Sequence, residues 1–394
     1  MNKNNCFSNK NPCSACGACY SICPVSAIKI ELNQNGFYEA FIDEDKCISC
    51  GKCISVCPKY IDRENQIDRK TFSAYSFINN DKEILKGSSS GAVSWALIEI
   101  AFSKGYKIAG VEYDYSSNTA KTFFAEDLQQ AKRSKGSKYL QADTHIYKDI
   151  LQKSGKFIVF GTPCQLAGLA KAAQMLKRRE DFLLVDCFCH GVPSYLMWKK
   201  FLEHIGIEHP KEVVFRSKKG GWHNFYMEIS DLNKKFSADV RTNPFYKLFF
   251  SDLILNDSCY SCKVKSATFA DIRIGDFWGS DYDLTEKGVS IVLPLSDLGK
   301  EWVDLLKVKG KLIDINHLRG KIIKSQSAFA DTPLKKEKRK TLLSILQKQN
   351  LGAVLSYYDK GQEYKKKIAV KIKSILPLFL ARYIRFLTHK VKGY

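Results

Sequence analysis

The spacing Cys13-x2-Cys16-x2-Cys19-x3-Cys23-Pro24 recurs as Cys47-x2-Cys50-x2-Cys53-x3-Cys57-Pro58, and a chain with this repeat has few ways to fold. Thiolates at these intervals wrap iron–sulfur clusters, in the bacterial two-cluster spacing where the fourth cysteine of each run reaches the other cluster. Cys13, Cys16, Cys19 and Cys57 are therefore expected on one [4Fe–4S] cluster, and Cys47, Cys50, Cys53 and Cys23 on a second. Gly17 and Gly51 follow the second cysteine of each block, where backbone amides must pack close to the sulfides. Pro24 and Pro58 supply no amide and end the ligand loop. Zinc uses four ligands in paired CxxC units rather than this run, and disulfides would ignore the repeat.

Around the cysteines the chain reads as a small ferredoxin-like module over residues 1–62. Residues 27–32 alternate as a strand, 33–36 form a turn and 37–42 a return strand. The polar stretch 62–70 is a linker. From Thr71 the order strand, turn, helix repeats. Gly87-Ser88-Ser89-Ser90-Gly91 opens a helix over 92–104, and strands are predicted at 107–113, 157–160, 182–185, 213–216, 224–230, 272–274 and 290–293. A helix over 195–204 follows Cys189-His190-Gly191. The fold class expected is thus mixed: an α+β two-cluster module, an α/β domain over 71–324 divided near 150–160, and a basic helical C-terminal extension over 325–394.

Composition narrows the function. Lys and Arg number 62 against 41 Asp and Glu, a formal charge of +21. Each cluster bound by four thiolates offsets about two of those charges when oxidised. A basic surface favours acidic partners such as another ferredoxin, an anionic cofactor or phospholipid, and no nucleic-acid-binding pattern is present. No run approaches the roughly 18 apolar residues of a membrane span, and the polar start of the chain lacks a secretory core, so a cytoplasmic location is expected. Residues 365–394 contain no acidic residue. That segment reads either as a basic amphipathic anchor at the inner membrane face or as a helix packed on the domain.

Outside the module lie Cys164, Cys187, Cys189, Cys259 and Cys262. Three of their segments sit where α/β proteins hold ligands or form a CxxC pair. Gly87–Gly91, Gly161-Thr162-Pro163-Cys164-Gln165, Cys189-His190-Gly191-Val192-Pro193-Ser194, Phe215-Arg216-x-Lys218-x-Gly220-x-Trp222, Cys259-x2-Cys262-Lys263 and Gly275-Asp276-Phe277-Trp278-Gly279 together resemble the beta-subunit family of coenzyme F420 hydrogenases and dehydrogenases. The motifs fall in the family's order across 71 to about 310, and a fused two-cluster ferredoxin is an arrangement found in that family. The resemblance implies FAD and a further [4Fe–4S] cluster, carried here onto Cys164, Cys189, Cys259 and Cys262. Cys187 and Cys189 would share a face of a continuing strand, so a swap between them stays open. As a buried inert thiol, Cys187 has the ordinary alternative role.

The same resemblance directs the cofactor residues. Gly87, Ser88, Ser89, Ser90 and Gly91 offer amides and hydroxyls to a pyrophosphate at a helix start, or simply cap that helix. Lys138, within Gly136-Ser137-Lys138-Tyr139, is a cation for a phosphate or a reduced flavin, or a solvated lysine. Arg216, Lys218 and Trp222 form a basic, aromatic turn suited to a ring or an acidic substrate. His190 and Lys138 are the candidate catalytic groups, while Asp271 and Asp276 read as turn caps. No GxGxxG or phosphate-loop motif is present. The expected activity is an oxidoreductase passing electrons between a ferredoxin-type partner and a small organic substrate, with deazaflavin F420 the family's archetype. The competing expectation is a non-catalytic electron-transfer subunit docked to a separate enzyme.

Overall fold

The computed structural model describes residues 12–60, 66–282 and 284–361, together with Cys6 and Leu380. In the N-terminal module, β1 (Ile28–Leu32) pairs antiparallel with β2 (Tyr38–Ile42), Ile28 facing Ile42 and Leu32 facing Tyr38. Asn33 closes the turn, its Oδ1 accepting from the amides of Asn35 (3.0 Å) and Phe37 (3.1 Å). The helices Ala18–Ile22 and Lys52–Val56 each start at a glycine in the left-handed region, Gly17 at φ 79° and Gly51 at φ 74°, which a side chain disfavours. Ala15, Ile28, Ile30 and Ala40 form the small core among the cysteines.

The strands that follow are β3 (Tyr75–Asn79), β4 (Lys107–Asp114), β5 (Thr119–Ala125), β6 (Ala142–Asp143), β7 (Phe157–Phe160) and β8 (Phe182–Cys187). After them come β9 (Glu212–Ser217), β10 (Tyr226–Ser230), β11 (Lys235–Asp239), β12 (Ile272–Asp276), β13 (Ser290–Pro294) and β14 (Gly310–Asp314). Nine form one sheet in the order β14-β3-β13-β12-β8-β7-β4-β5-β6, and β11-β10-β9 form a separate antiparallel sheet. The centre, β4, β7, β8 and β12, is parallel. Its buried apolar runs, Phe157–Val159 and Phe182–Val185, are those of strands covered on both faces. On one flank β12–β13, β13–β3 and β3–β14 pair antiparallel, and on the other β4–β5 do. The strand–turn–helix alternation read from the sequence therefore holds for the middle of the sheet only.

The N-terminal module sits against this sheet through backbone. Gly36 O accepts from Tyr195 N (2.7 Å), Ser194 Oγ donates to Asn35 O, and Gln141 Nε2 donates to Ser14 O (2.8 Å). A Cβ at Gly36 would lie 2.2 Å from Leu196 N, so this contact demands glycine. In the helix Pro163–Met175, Gly168 faces Cys16 so closely that a Cβ would lie 2.9 Å from its Sγ.

The helices Lys336–Lys348 and Leu351–Lys360 bury Leu342, Leu346, Leu351 and Val354 in one core with Trp198, Phe201 and Phe245. Arg339 from the first of them donates to Leu255 O (2.7 Å) and to the Tyr260 hydroxyl (3.2 Å). This part of the basic extension is thus integral to the central core. The stretch read as an anchor or packed helix, 365–394, lies outside the described residues apart from Leu380, and no described helix is long and apolar enough to cross a membrane.

Candidate cluster and cofactor sites

The left-handed glycines turn the chain so that each cysteine run curls around a space. Cys13, Cys16, Cys19 and Cys57 line one cavity, with Cys6, Ser14 and Lys59. Cys23, Cys47, Cys50 and Cys53 line another, with Val25, Ile48 and Lys52. The Cys13 sulfur accepts from Ala15 N (3.2 Å) and the Cys23 sulfur from Ala27 N (3.3 Å). Burial pushes the Cys13 and Cys16 thiols up. Cys6 is buried beside both sets, its amide 3.3 Å from Cys53 Sγ.

A third cavity, of about 110 Å³, is lined by Cys164, Cys189, Cys259 and Cys262. Cys187 does not line it; it faces the larger cavity described next. Cys164 follows β7 at the start of the helix Pro163–Met175, and Cys189 lies two residues past β8. Burial raises the Cys164 and Cys259 thiols to about 12 and lifts Cys189 well above its usual value; metal binding would take these protons off. Among the described residues no three Cys, His, Asp or Glu converge closely enough for a single metal ion. The thiols stand around a space instead. Ser14 and Lys59 line both this cavity and that of Cys13 and Cys16, so the two are neighbours.

A buried ion pair holds the CxxC segment. Asp186 on β8 faces Arg273 on β12 in parallel register. Arg273 grips it with two bonds, Nε to Oδ1 at 2.7 Å and Nη2 to Oδ2 at 2.5 Å. The same guanidinium donates to Lys265 O (2.7 Å) and Ala267 O (3.0 Å), just beyond Cys262. Burial pushes the Asp186 carboxyl up while Arg273 pulls it back.

A larger cavity, of about 370 Å³, opens at the carboxyl ends of β7, β8 and β12, where a parallel sheet presents ligands. Ser88, Ser89, Ser90 and the start of the helix Val93–Ser103 form one wall. Ser89 Oγ accepts from Ser137 N (2.9 Å), which draws the Lys138 loop alongside. Lys138 Nζ donates to Arg133 O (3.1 Å) and Lys135 O (2.8 Å), and burial lowers its pKa to about 7. Arg216 pairs with Asp276 and lies over the Phe225 ring at 4.5 Å and the Trp278 ring at 5.4 Å. Burial raises the neighbouring Tyr139 hydroxyl to about 12. Cys189, His190, Gly191 and Val192 line both this cavity and the third cysteine cavity.

Several expected cofactor residues lie elsewhere. Lys218 Nζ is committed to three carbonyls, Leu85, Ser90 and Lys287, at 2.6–2.7 Å. Trp222 is wholly buried, stacked on Trp278 and donating to Asp276 Oδ1 (3.1 Å). Gly87 ends the short helix Lys82–Lys86, and Gly91 packs on Phe77 O. Lys218 and Trp222 brace the wall from behind, through Ser90 O and the Trp278 ring. His190 Nε2 lies 2.9 Å from Asp252 Oδ1 without hydrogen-bond alignment.

Asp271 accepts from Leu184 N (2.8 Å), Ser296 Oγ (2.7 Å) and Arg179 (2.9 Å), a brace between strands. Asp276 is more than a cap, because it holds both Arg216 and Trp222. Sequence reasoning quotes Tyr139 without giving it a role, and misses Asp252 and the Asp186–Arg273 pair. Only the pair leaves a signal: opposite charges inside two apolar strands, Val185-Asp186-Cys187 and Ile272-Arg273-Ile274.

Paired cysteine cavities beside an α/β sheet with a crevice at its strand ends define an iron–sulfur protein of the oxidoreductase class. Compared with known families, residues 12–61 match the 4Fe-4S dicluster domain. Residues 154–316 match the C terminus of the coenzyme F420 hydrogenase/dehydrogenase beta subunit. The chain therefore carries, in order, a match to a dicluster domain and a match to the C-terminal part of that beta subunit. It is 24% identical over 334 residues to a subunit of the F(420)H(2) dehydrogenase of Methanosarcina mazei, covering 77% of this chain and 88% of that one. A chain of the F420-reducing [NiFe] hydrogenase complex from Methanosarcina barkeri superposes with a TM-score of 0.47 at 16% identity, over 75% of this chain and 94% of that chain.

Proposed function

We propose that the chain is an iron–sulfur flavoprotein oxidoreductase passing electrons between a ferredoxin-type partner and a small organic substrate or deazaflavin. In this reading residues 1–62 hold two [4Fe–4S] clusters, Cys164, Cys189, Cys259 and Cys262 hold a third, and the large cavity holds FAD. The observation that carries it is the shared wall Cys189–Val192, which separates the third cysteine set from a ligand-sized crevice by single residues. A cavity of about 370 Å³ falls within the usual size for organic ligands.

The residues present suit the group. The first turn of the helix Val93–Ser103 offers its amides to a phosphate, where the helix dipole favours negative charge. The Ser88 and Ser90 hydroxyls are spent on Ile84 O (2.7 Å) and Val289 O (2.8 Å), which leaves Ser89 as the serine side chain for that role. Lys138 adds a cation from the adjoining loop. Arg216, paired with Asp276 and lying over the Phe225 and Trp278 rings, offers a fixed positive charge to an electron-rich ring. A flavin supplies exchange between hydride and single electrons. The protein's part is to exclude water, orient the ring and hold positive charge where it is reduced.

The name of the Methanosarcina mazei relative, a dehydrogenase subunit, favours one other reading, a non-catalytic electron-transfer subunit docked to a separate enzyme. Anaerobic purification with iron, sulfide and flavin analysis separates the two. About twelve irons and one flavin per chain are expected, at four irons per cluster; about eight irons and no flavin would overturn the flavoprotein reading.

A further inference from the structure

The two cysteine cavities of the N-terminal module differ in what surrounds them. That of Cys13, Cys16, Cys19 and Cys57 faces inward: Cys16 is buried against Gly168, and Ser14 and Lys59 connect it to the third cysteine cavity. Among the described residues, that of Cys23, Cys47, Cys50 and Cys53 shares no lining residue with the three cavities described above. Its ligand-type residue Cys50 is exposed, and beside it Ile48 is 61% and Val25 37% exposed. Lys52 is the one charged residue of its described lining. Single exposed apolar side chains are ordinary; two flanking an exposed cysteine of the proposed outer cluster form a small apolar face.

We propose that this outer face is where a small acidic one-electron carrier protein docks, and that electrons cross there through the outer cluster. The inference rests on the two-cluster reading given above. Electron exchange between proteins falls steeply with distance, so the cluster whose ligand reaches the surface is the one a carrier meets. A small apolar contact with a charged rim suits a transient redox encounter, which buries little area. Lys52 stands in the lining, and Lys148 reaches Ser26 Oγ (3.1 Å) next to Val25. Asp43, Glu44 and Asp45 precede Cys47, but Asp43 is paired with Lys46 (3.1 Å). With a formal charge of +21 on the whole chain, long-range attraction selects a negative partner and the rim orients it.

The test is anaerobic stopped-flow reduction of the full, cluster-loaded chain by a reduced, acidic two-[4Fe–4S] ferredoxin. Ile48→Glu should lower the second-order rate at least tenfold and Lys52→Glu at least threefold, each rate being taken per cluster-loaded chain from the measured iron content and dithionite-reduced endpoint. The wild-type rate should fall as salt is added. Leu232→Glu, on another exposed apolar tip, should leave the rate as it was. Rates within twofold of wild type for both Ile48→Glu and Lys52→Glu would overturn the proposal. So would a larger loss in Lys263→Glu, beside the third cysteine cavity. Fewer than about eight irons in the wild-type chain would instead strike the two-cluster reading beneath it.

Discussion

Replacing Asp186 by asparagine tests how the sheet carries the CxxC segment. Asp186 is 1% exposed and Arg273 0%, so neither charge has water to fall back on. A solvent-exposed pair would be worth only about 0–1 kcal/mol. Here the asparagine leaves the guanidinium buried among neutral acceptors only, and breaking a buried pair on one side costs roughly 3–5 kcal/mol. Arg273→Met should cost as much again in kind, because Lys265 O and Ala267 O also lose their donor at about 1–3 kcal/mol per buried group. The double change Asp186→Leu with Arg273→Met removes both charges and should be less destabilised than Arg273→Met alone. Urea unfolding read by tryptophan emission suits the question, since all five tryptophans lie beyond residue 90. A loss below about 1 kcal/mol for Asp186→Asn would refute the argument, since that is the range of an exposed pair.

Three further outcomes follow from the geometry. Cys259→Ala should remove about four irons per chain and Cys187→Ser none, measured by iron and sulfide analysis; equal losses would make Cys187 a ligand. Burial lowers Lys138 to about 7, and a bound phosphate raises it again. FAD binding should therefore take up a proton, being tightest below pH 7 and weakening as pH rises above it. Fluorescence titration at several pH values checks this, and affinity that grows with pH would contradict it; Lys138→Met should flatten the profile. Leu346→Ala, at a wholly buried position of the central core, should cost about 2–5 kcal/mol in the same urea assay, whereas a dispensable extension would lose almost nothing.

Local chemistry explains which parts of this architecture are legible in the sequence. The cysteine repeat, the strand cores 157–160 and 182–185 and the helix after Gly91 are fixed by near neighbours, and periodicity exposes them. Strands β3 and β14 escape such a reading because each takes its place from partners more than two hundred residues away, Tyr75–Asn79 pairing with Gly310–Asp314. Lys218 and Trp222 show the same limit from the other side. A lysine and a tryptophan in a glycine-rich turn look ligand-facing, yet Lys218 is drawn to carbonyls brought from Leu85 and Lys287. Strand parity cannot tell Cys187 from Cys189, and the end of β8 at Cys187 separates them.

The close fit of Gly168 against Cys16 has a bearing on how the chain matures. With no room for even one methyl group between the helix Pro163–Met175 and that sulfur, the inner site is walled by a part of the chain made some 150 residues later. Under the cluster assignment proposed above, iron and sulfide must reach Cys13, Cys16 and Cys19 before that helix closes over them, or the helix must lift away to admit them. The outer site, with Cys50 at the surface, has no such deadline. On that assignment, biosynthesis would impose an order on two halves of a repeat that their spacing alone would leave equivalent.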